Sequence, residues 1–218
     1  MRDMSETRNQ PVAIFGGTFD PVHYGHLRTA LEVRDFLRID DFRFLPAGIP
    51  PHRTNLVTKV SHRLEMLKLV LADLPGFTID EREVLRSGPS YMVDTLRELR
   101  AQCGEVPLVL VIGQDAANQL QTWSRWKELF ALSNLLIMSR PGDKEDYAGE
   151  LQNEIDGRWV TTATDMLVKN AGFVIRLEVT SLSISSSKIR QMLHNAQSPR
   201  YLLPDAVIEY IRFHALYQ

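Results

Sequence analysis

The run Leu108-Val109-Leu110-Val111-Ile112, entered through Pro107 and stopped by Gly113, restricts the fold more than any other stretch of this chain. A strand without a polar position has no face to give to water, so both faces need cover. That is the situation of a central strand in a parallel sheet between two helix layers. Other strand-like runs recur at residues 12–15, 42–45, 77–80, 134–139 and 173–179. Between them apolar residues return at helical spacing: Leu27, Ala30, Leu31, Val33 and Leu37; then Leu64, Leu67, Val70 and Leu71, capped by Ser61. Ser90 opens a third helix through Val93, Leu96 and Leu99; Ile189, Met192 and Leu193 mark another, and Pro204 starts a last one ending near His214. Strand and helix alternate without an internal repeat, which predicts an α/β, Rossmann-like, doubly wound fold with a mostly parallel sheet and helices on both faces.

Composition excludes several functions. A net charge of −2 argues against a broad nucleic-acid surface. No apolar run is long enough to span a bilayer, so no membrane partner is expected. Residues 1–10 are polar and mixed in charge, which reads as a mobile leader. The single Cys103 leaves no partner for an intramolecular disulfide and fits a reducing compartment, so the cytoplasm is the expected location. Glu81, Arg82 and Glu83 read as a solvated stretch after the 77–80 strand, and residues 143–171 as an excursion or small helices.

The chemistry gathers at two places. Gly16-Gly17-Thr18-Phe19-Asp20-Pro21-Val22-His23-Tyr24-Gly25-His26-Leu27 turns the first strand into the first helix. A glycine pair permits close approach of the main chain, and a helix start presents unpaired N–H groups, so an anion is well received there. His23 and His26 are three apart and can point at that anion as donors from one helix face. Taken singly, a glycine pair is commonly a turn and a histidine a surface or core residue; two histidines at this spacing could also hold a metal. There is neither a P-loop nor a dinucleotide Gly-x-Gly-x-x-Gly pattern. Ser183, Ser185, Ser186 and Ser187, followed by Lys188 and Arg190, form a second hydroxyl- and cation-rich helix start. Asp115, just beyond the central strand, is placed for ribose hydroxyls or a metal ion, or as a helix cap. His52 and Arg53 lie on a long loop over residues 47–60, a candidate flap.

The His23-Tyr24-Gly25-His26 quartet behind its Gly-Gly-Thr-Phe-Asp-Pro turn resembles the signature of the nucleotidylyltransferase superfamily. Together with Pro50-Pro51-His52-Arg53, Gly113-Gln114-Asp115, Arg140-Pro141-Gly142 and Ile184-Ser185-Ser186-Ser187-Lys188-Ile189-Arg190, nearly the whole chain is similar to the bacterial nicotinate-nucleotide adenylyltransferase family. The resemblance implies one nucleotidylyltransferase domain over 11–218, with ATP and nicotinate mononucleotide as substrates and Mg²⁺ carried on the ATP phosphates rather than by protein ligands. It implies His23 and His26 as catalytic donors. ATP would be met by Gly16, Gly17, Thr18 and Phe19 on the first turn, Gly113 and Asp115 on the second, and Ile184, Ser185, Ser187 and Arg190 on the last. The acceptor would be met by His52, Arg53, Ser90, Tyr91, Met92 and Arg140, with Trp123 stacking on the pyridine ring. The chain departs from the family pattern at Ala47 and Gly48, where Asn is expected, and at Met92, where Thr is common. Competing readings are another adenylyl- or cytidylyltransferase such as phosphopantetheine adenylyltransferase, a non-catalytic nucleotide-binding module, a fragment resembling class I aminoacyl-tRNA synthetases, and a zinc hydrolase. Oligomeric state is left open.

Overall fold

The computed structural model describes residues 10–49, 58–147 and 149–218. Its strands are β1 (Val12–Gly17), β2 (Asp41–Pro46), β3 (Phe77–Ile79), β4 (Leu108–Gly113), β5 (Asn134–Ser139) and β6 (Val174–Glu178). They form one six-stranded sheet in the order β3-β2-β1-β4-β5-β6. Every neighbouring pair is parallel, so the sheet is wholly rather than mostly parallel. The chain winds outward from β1 to β3, returns, and winds outward again from β4 to β6. The reversal falls between β1 and β4, and ligands of doubly wound sheets bind outside the carboxyl ends of such a strand pair.

Successive side chains of a strand point to opposite faces, which divides the core in two. Ala13 and Phe15 of β1, with Val109 and Val111 of β4, pack under α1 (Tyr24–Leu37), α2 (Val60–Leu71) and, near the end of the chain, α9 (Ser186–His194) and α10 (Asp205–Phe213). Val12 and Ile14, with Leu108, Leu110 and Ile112, pack under α4 (Met92–Cys103), α5 (Gln114–Asn118), α6 (Leu129–Leu132) and α7 (Glu150–Ile155). Leu108 through Val111 are fully buried, as a run without a polar face requires. Each such aliphatic side chain contributes roughly 1.5–3 kcal/mol on burial. Two further short helices are α3 (Arg82–Leu85) and α8 (Ala163–Met166), with α7 and α8 lying in the weakly periodic 143–171 stretch.

Three local expectations are corrected. The N-cap of α2 is Lys59, and Ser61 lies inside the first turn. The strand begun at Phe77 stops at Ile79, and the Glu81-Arg82-Glu83 stretch turns into α3 instead of lying in solvent. Glu83 is buried because its carboxylate accepts a 2.8 Å hydrogen bond from Thr95 Oγ1, while Arg82 pairs with Asp80. The helix expected to open at Ser90 begins at Met92 with Tyr91 as its N-cap. The 1–9 part of the leader, and His52 and Arg53 of the 47–60 loop, lie outside the described residues.

Candidate active site

The turn after β1 is held from three directions. Arg190 Nη1 donates to the Asp20 carbonyl at 2.7 Å, Tyr217 Oη donates to the Asp20 carboxylate at 2.6 Å, and Ser186 Oγ donates to the Pro21 carbonyl at 3.0 Å. Phe19 is fully buried among Phe15, Phe44 and His26, so of the residues assigned to ATP it has only its backbone to offer. His23 is the N-cap of α1, and His26 stands at its third position with the two rings stacked at 3.7 Å. The His23 backbone N–H donates to His26 Nδ1 at 3.3 Å. A ring nitrogen that accepts carries no proton, so neutral His26 keeps its proton on Nε2, the outward donor. Gly25 makes the stack possible: a Cβ there would meet His23 Cε1 and Nδ1 at 2.9 Å.

Burial, and then the Arg140 charge, lower the His23 pKa from 6.5 to about 4. Burial first, then His23 and Arg140, push His26 well down as well. Both imidazoles are therefore neutral donors at neutral pH in the free protein. The folded pKa lies below the unfolded one, so between pH 6.5 and about 4 the unfolded chain binds more protons and stability falls as pH falls. For His23 alone this removes about 2–3 kcal/mol between pH 7.5 and 4.5. Urea unfolding of His23→Asn at both pH values is expected to show an acid loss smaller by that amount; an equal loss in both proteins contradicts the assignment.

His23, Gly25 and His26 line a cavity of about 440 Å³ with Gly113 at the end of β4 and Asp115 after it, Arg140 after β5, and Ile184, Ser185 and Ser187 before and within α9. A Cβ on Gly113 would meet only the tip of the Asp115 side chain, Oδ1 at 2.7 Å, which a rotamer change can move. Ser185 caps α9 by accepting from the Lys188 backbone, and Ser187 Oγ accepts from Arg190 Nη2 at 3.3 Å. Donors, two helix starts and an arginine surround this space, a setting for a polyanion. The sequence reading put Arg140 with the acceptor; its position is beside the histidines.

A second cavity, of about 240 Å³, lies on the other side of the turn. Ser90, Tyr91, Met92 and Trp123 line it together with Gly16, Gly17 and Thr18. The amides at the start of α4 have no acceptor within the helix, as at any helix start. Trp123 and Met92 supply apolar surface, and Met92 Cε would sit 3.0 Å from a Cβ on Gly16. Trp126 instead packs at the core margin, edge-on to Phe130. Thr18 lines both cavities.

A cytidylyltransferase-like family model matches residues 14–192. The chain is 48% identical over 207 residues to the probable nicotinate-nucleotide adenylyltransferase of Methylococcus capsulatus, covering 94% of this chain and 99% of the relative. This chain belongs to the nicotinate-nucleotide adenylyltransferase family. The corresponding protein of Hahella chejuensis is 43% identical over 211 residues, with 96% of each chain covered. The fold also matches a Plasmodium falciparum nicotinic acid mononucleotide adenylyltransferase complexed with NaAD, at TM-score 0.73 and 17% identity over 96% of this chain and 98% of that one.

Against the pattern expected of a nicotinate-nucleotide adenylyltransferase, Gly48 has a local cause. A Cβ on it would lie 2.1 Å from the Glu83 carbonyl oxygen and 3.1 Å from Ser90 Oγ, so no side chain fits. Two residues of this member's site escaped the sequence reading. Glu83, in a charged run, lines the smaller cavity; Arg63, among the leucines of α2, is fully buried and holds three carbonyls behind the turn. Polar residues inside amphipathic or charged stretches carry no periodic signal, so neither could be singled out.

Proposed function

We infer that the chain transfers AMP from ATP to nicotinate mononucleotide, giving nicotinate adenine dinucleotide and pyrophosphate, a step of NAD biosynthesis. The observation that carries the reading is the meeting of the two cavities at Thr18, one rich in anion donors and one walled by Trp123 and a helix start. In this reading 11–218 acts as one domain, and its partners are small molecules. A phosphate monoester is largely ionised at neutral pH, its second pKa being about 6, so the attacking oxygen needs no base. The site supplies alignment and charge stabilisation at the α-phosphorus.

His23 and His26 donate to the oxygens around the reacting phosphorus, with the Gly16–Thr18 backbone beside them. Ser185, Ser187 and the start of α9 hold the departing β- and γ-phosphates, and Arg140 adds its charge to that side. Arg190 keeps the Asp20 carbonyl and Ser187 in place. Asp115 accepts from the ribose. The pyridine ring stacks on Trp123, and the α4 amides at Tyr91 and Met92 face its carboxylate; a site built to pair a carboxylate rejects the amide, whose NH₂ would leave those donors unpaired. His52 and Arg53 are assigned to the acceptor phosphate by family resemblance alone.

Mg²⁺ fits the larger cavity as an ion held chiefly by ATP and water. Its lining offers imidazoles, hydroxyls and the Asp115 and Asp143 carboxylates, and among the described residues no group of three or more His, Cys, Asp or Glu is placed to hold a metal. When bound, the ion neutralises charge on the leaving phosphates. No helix among the described residues is long and apolar enough to cross a membrane; the cytoplasm is the compartment the reading expects. Incubation with ATP, Mg²⁺ and nicotinate mononucleotide is expected to yield dinucleotide and pyrophosphate in equal amounts by chromatography. Pyrophosphate with free AMP and no dinucleotide would overturn the reading.

A further inference from the structure

We propose that Arg63 is the positioning residue that sets the spacing between the two half-sites, clamping the glycine turn after β1 to the chain leaving β2. The inference rests on the adenylyl-transfer reading and adds a residue that lines neither cavity.

The β1–β2 ladder has its last aligned pair at Gly17 and Pro46, followed by one more rung from the Ala47 N–H to the Gly17 carbonyl at 2.9 Å. Beyond it the two chains part, one into the turn that carries the histidines, the other toward Ile49. The next carbonyls along the two chains are those of Thr18, Ala47 and Gly48. Arg63 takes all three: Nη1 donates to Thr18 O at 2.7 Å, and Nη2 donates to Ala47 O at 2.7 Å and Gly48 O at 3.2 Å. These carbonyls lie 45, 16 and 15 residues away in sequence, so one guanidinium ties the turn after β1 to the chain leaving β2 past their last aligned pair.

A guanidinium presents its donors in a rigid planar fork, so it fixes the distance between the groups it binds; a rotatable ammonium does not. The fork is itself anchored, because α2 buries Leu64, Met66 and Leu67 in the core on either side of it. Burying this cation completely is costly, and its Nε has no partner among the described residues, so simple space-filling would be met more cheaply by an apolar residue. What the arginine secures is the relation between Thr18, shared by both cavities, and Ala47, on the wall of the smaller one. If Thr18 moves relative to Ala47, the rest of each half-site's lining stays in place, but the attacking oxygen and the α-phosphorus lose alignment.

The test is Arg63→Lys, measured beside the wild type. An error of about 1 Å in alignment costs on the order of 10²-fold, so kcat is expected to fall by roughly that factor. Dissociation constants for ATP alone and nicotinate mononucleotide alone are expected to stay within about threefold, because uniform binding is untouched. The dinucleotide product, which spans both cavities, is expected to bind at least about tenfold more weakly, since joined ligands lose affinity when geometry forbids both engagements. A merely structural role would not separate the joined ligand from its halves. If Arg63→Lys does not fold, Arg63→Gln, with two donors and no charge, is measured in the same way. Wild-type kcat per folded protein, parallel loss of both mononucleotides, or failure of both variants to fold would overturn the proposal. A wild type that binds the dinucleotide without forming it would sink the transfer reading instead, and the binding comparison would still judge the clamp.

Discussion

Replacing His26 with alanine is expected to lower kcat by roughly 10²–10³, the cost of one donor aimed at a charge that develops in the transition state. The KM for ATP should change little, because the phosphates keep the Ser185 helix start and Arg140. His26 also accepts the His23 backbone N–H at 3.3 Å, so part of any loss could come from the helix start. Losing that bond costs about 1 kcal/mol of stability. His26→Gln separates the two effects: a glutamine at this helix position can accept the same N–H, but its donors are placed differently. Stability is expected to return with glutamine and turnover is not. Turnover within about threefold of wild type in His26→Ala would remove His26 from the reacting centre.

Gly48→Ala is the second large effect. The added Cβ would stand 2.1 Å from the Glu83 carbonyl oxygen and 3.0 Å from its carbonyl carbon, both backbone atoms that no rotamer change can move. The chain around it is strapped on both sides, by Arg63 on the Gly48 carbonyl at 3.2 Å and by the Ser90 N–H on the Ile49 carbonyl at 2.9 Å. Relief therefore has to come from the segment carrying Glu83 and Ser90, two walls of the smaller cavity. Overpacking of this kind costs about 1–3 kcal/mol or more. The KM for the acceptor is expected to rise by about tenfold or more, with ATP affinity measured alone changed far less. Unaltered thermal stability together with an unaltered acceptor KM would show that the segment is not held as described.

How much of this was legible in the sequence follows from what each group touches. The polarity of the Leu108–Ile112 run announced a strand covered on both faces, and the Gly16–Leu27 stretch announced a turn into a helix, because each is a local pattern. Ser185 was legible for the same reason, as a hydroxyl placed at a helix start. Arg63 was not, since the carbonyls it serves are brought to it by strand pairing. The Asp20 tether to Tyr217 spans 197 residues, and nothing near either residue signals it. Glu83 was read as solvated from its charged neighbours, yet Thr95, on the next helix, makes its burial tolerable. Gly48, a departure from the family pattern when read in sequence, becomes a steric requirement once Glu83 is seen beside it.

The central claim is that this chain joins an adenylyl group to a pyridine mononucleotide bearing a carboxylate. It is tested most directly by kcat/KM for pyrophosphate release from ATP and Mg²⁺, with nicotinate mononucleotide and nicotinamide mononucleotide compared as acceptors. A preference for the acid by on the order of 10²-fold or more is predicted, because the amide leaves buried donors facing an NH₂ group. Equal use of the two acceptors, a preference for the amide, or release with neither would contradict it.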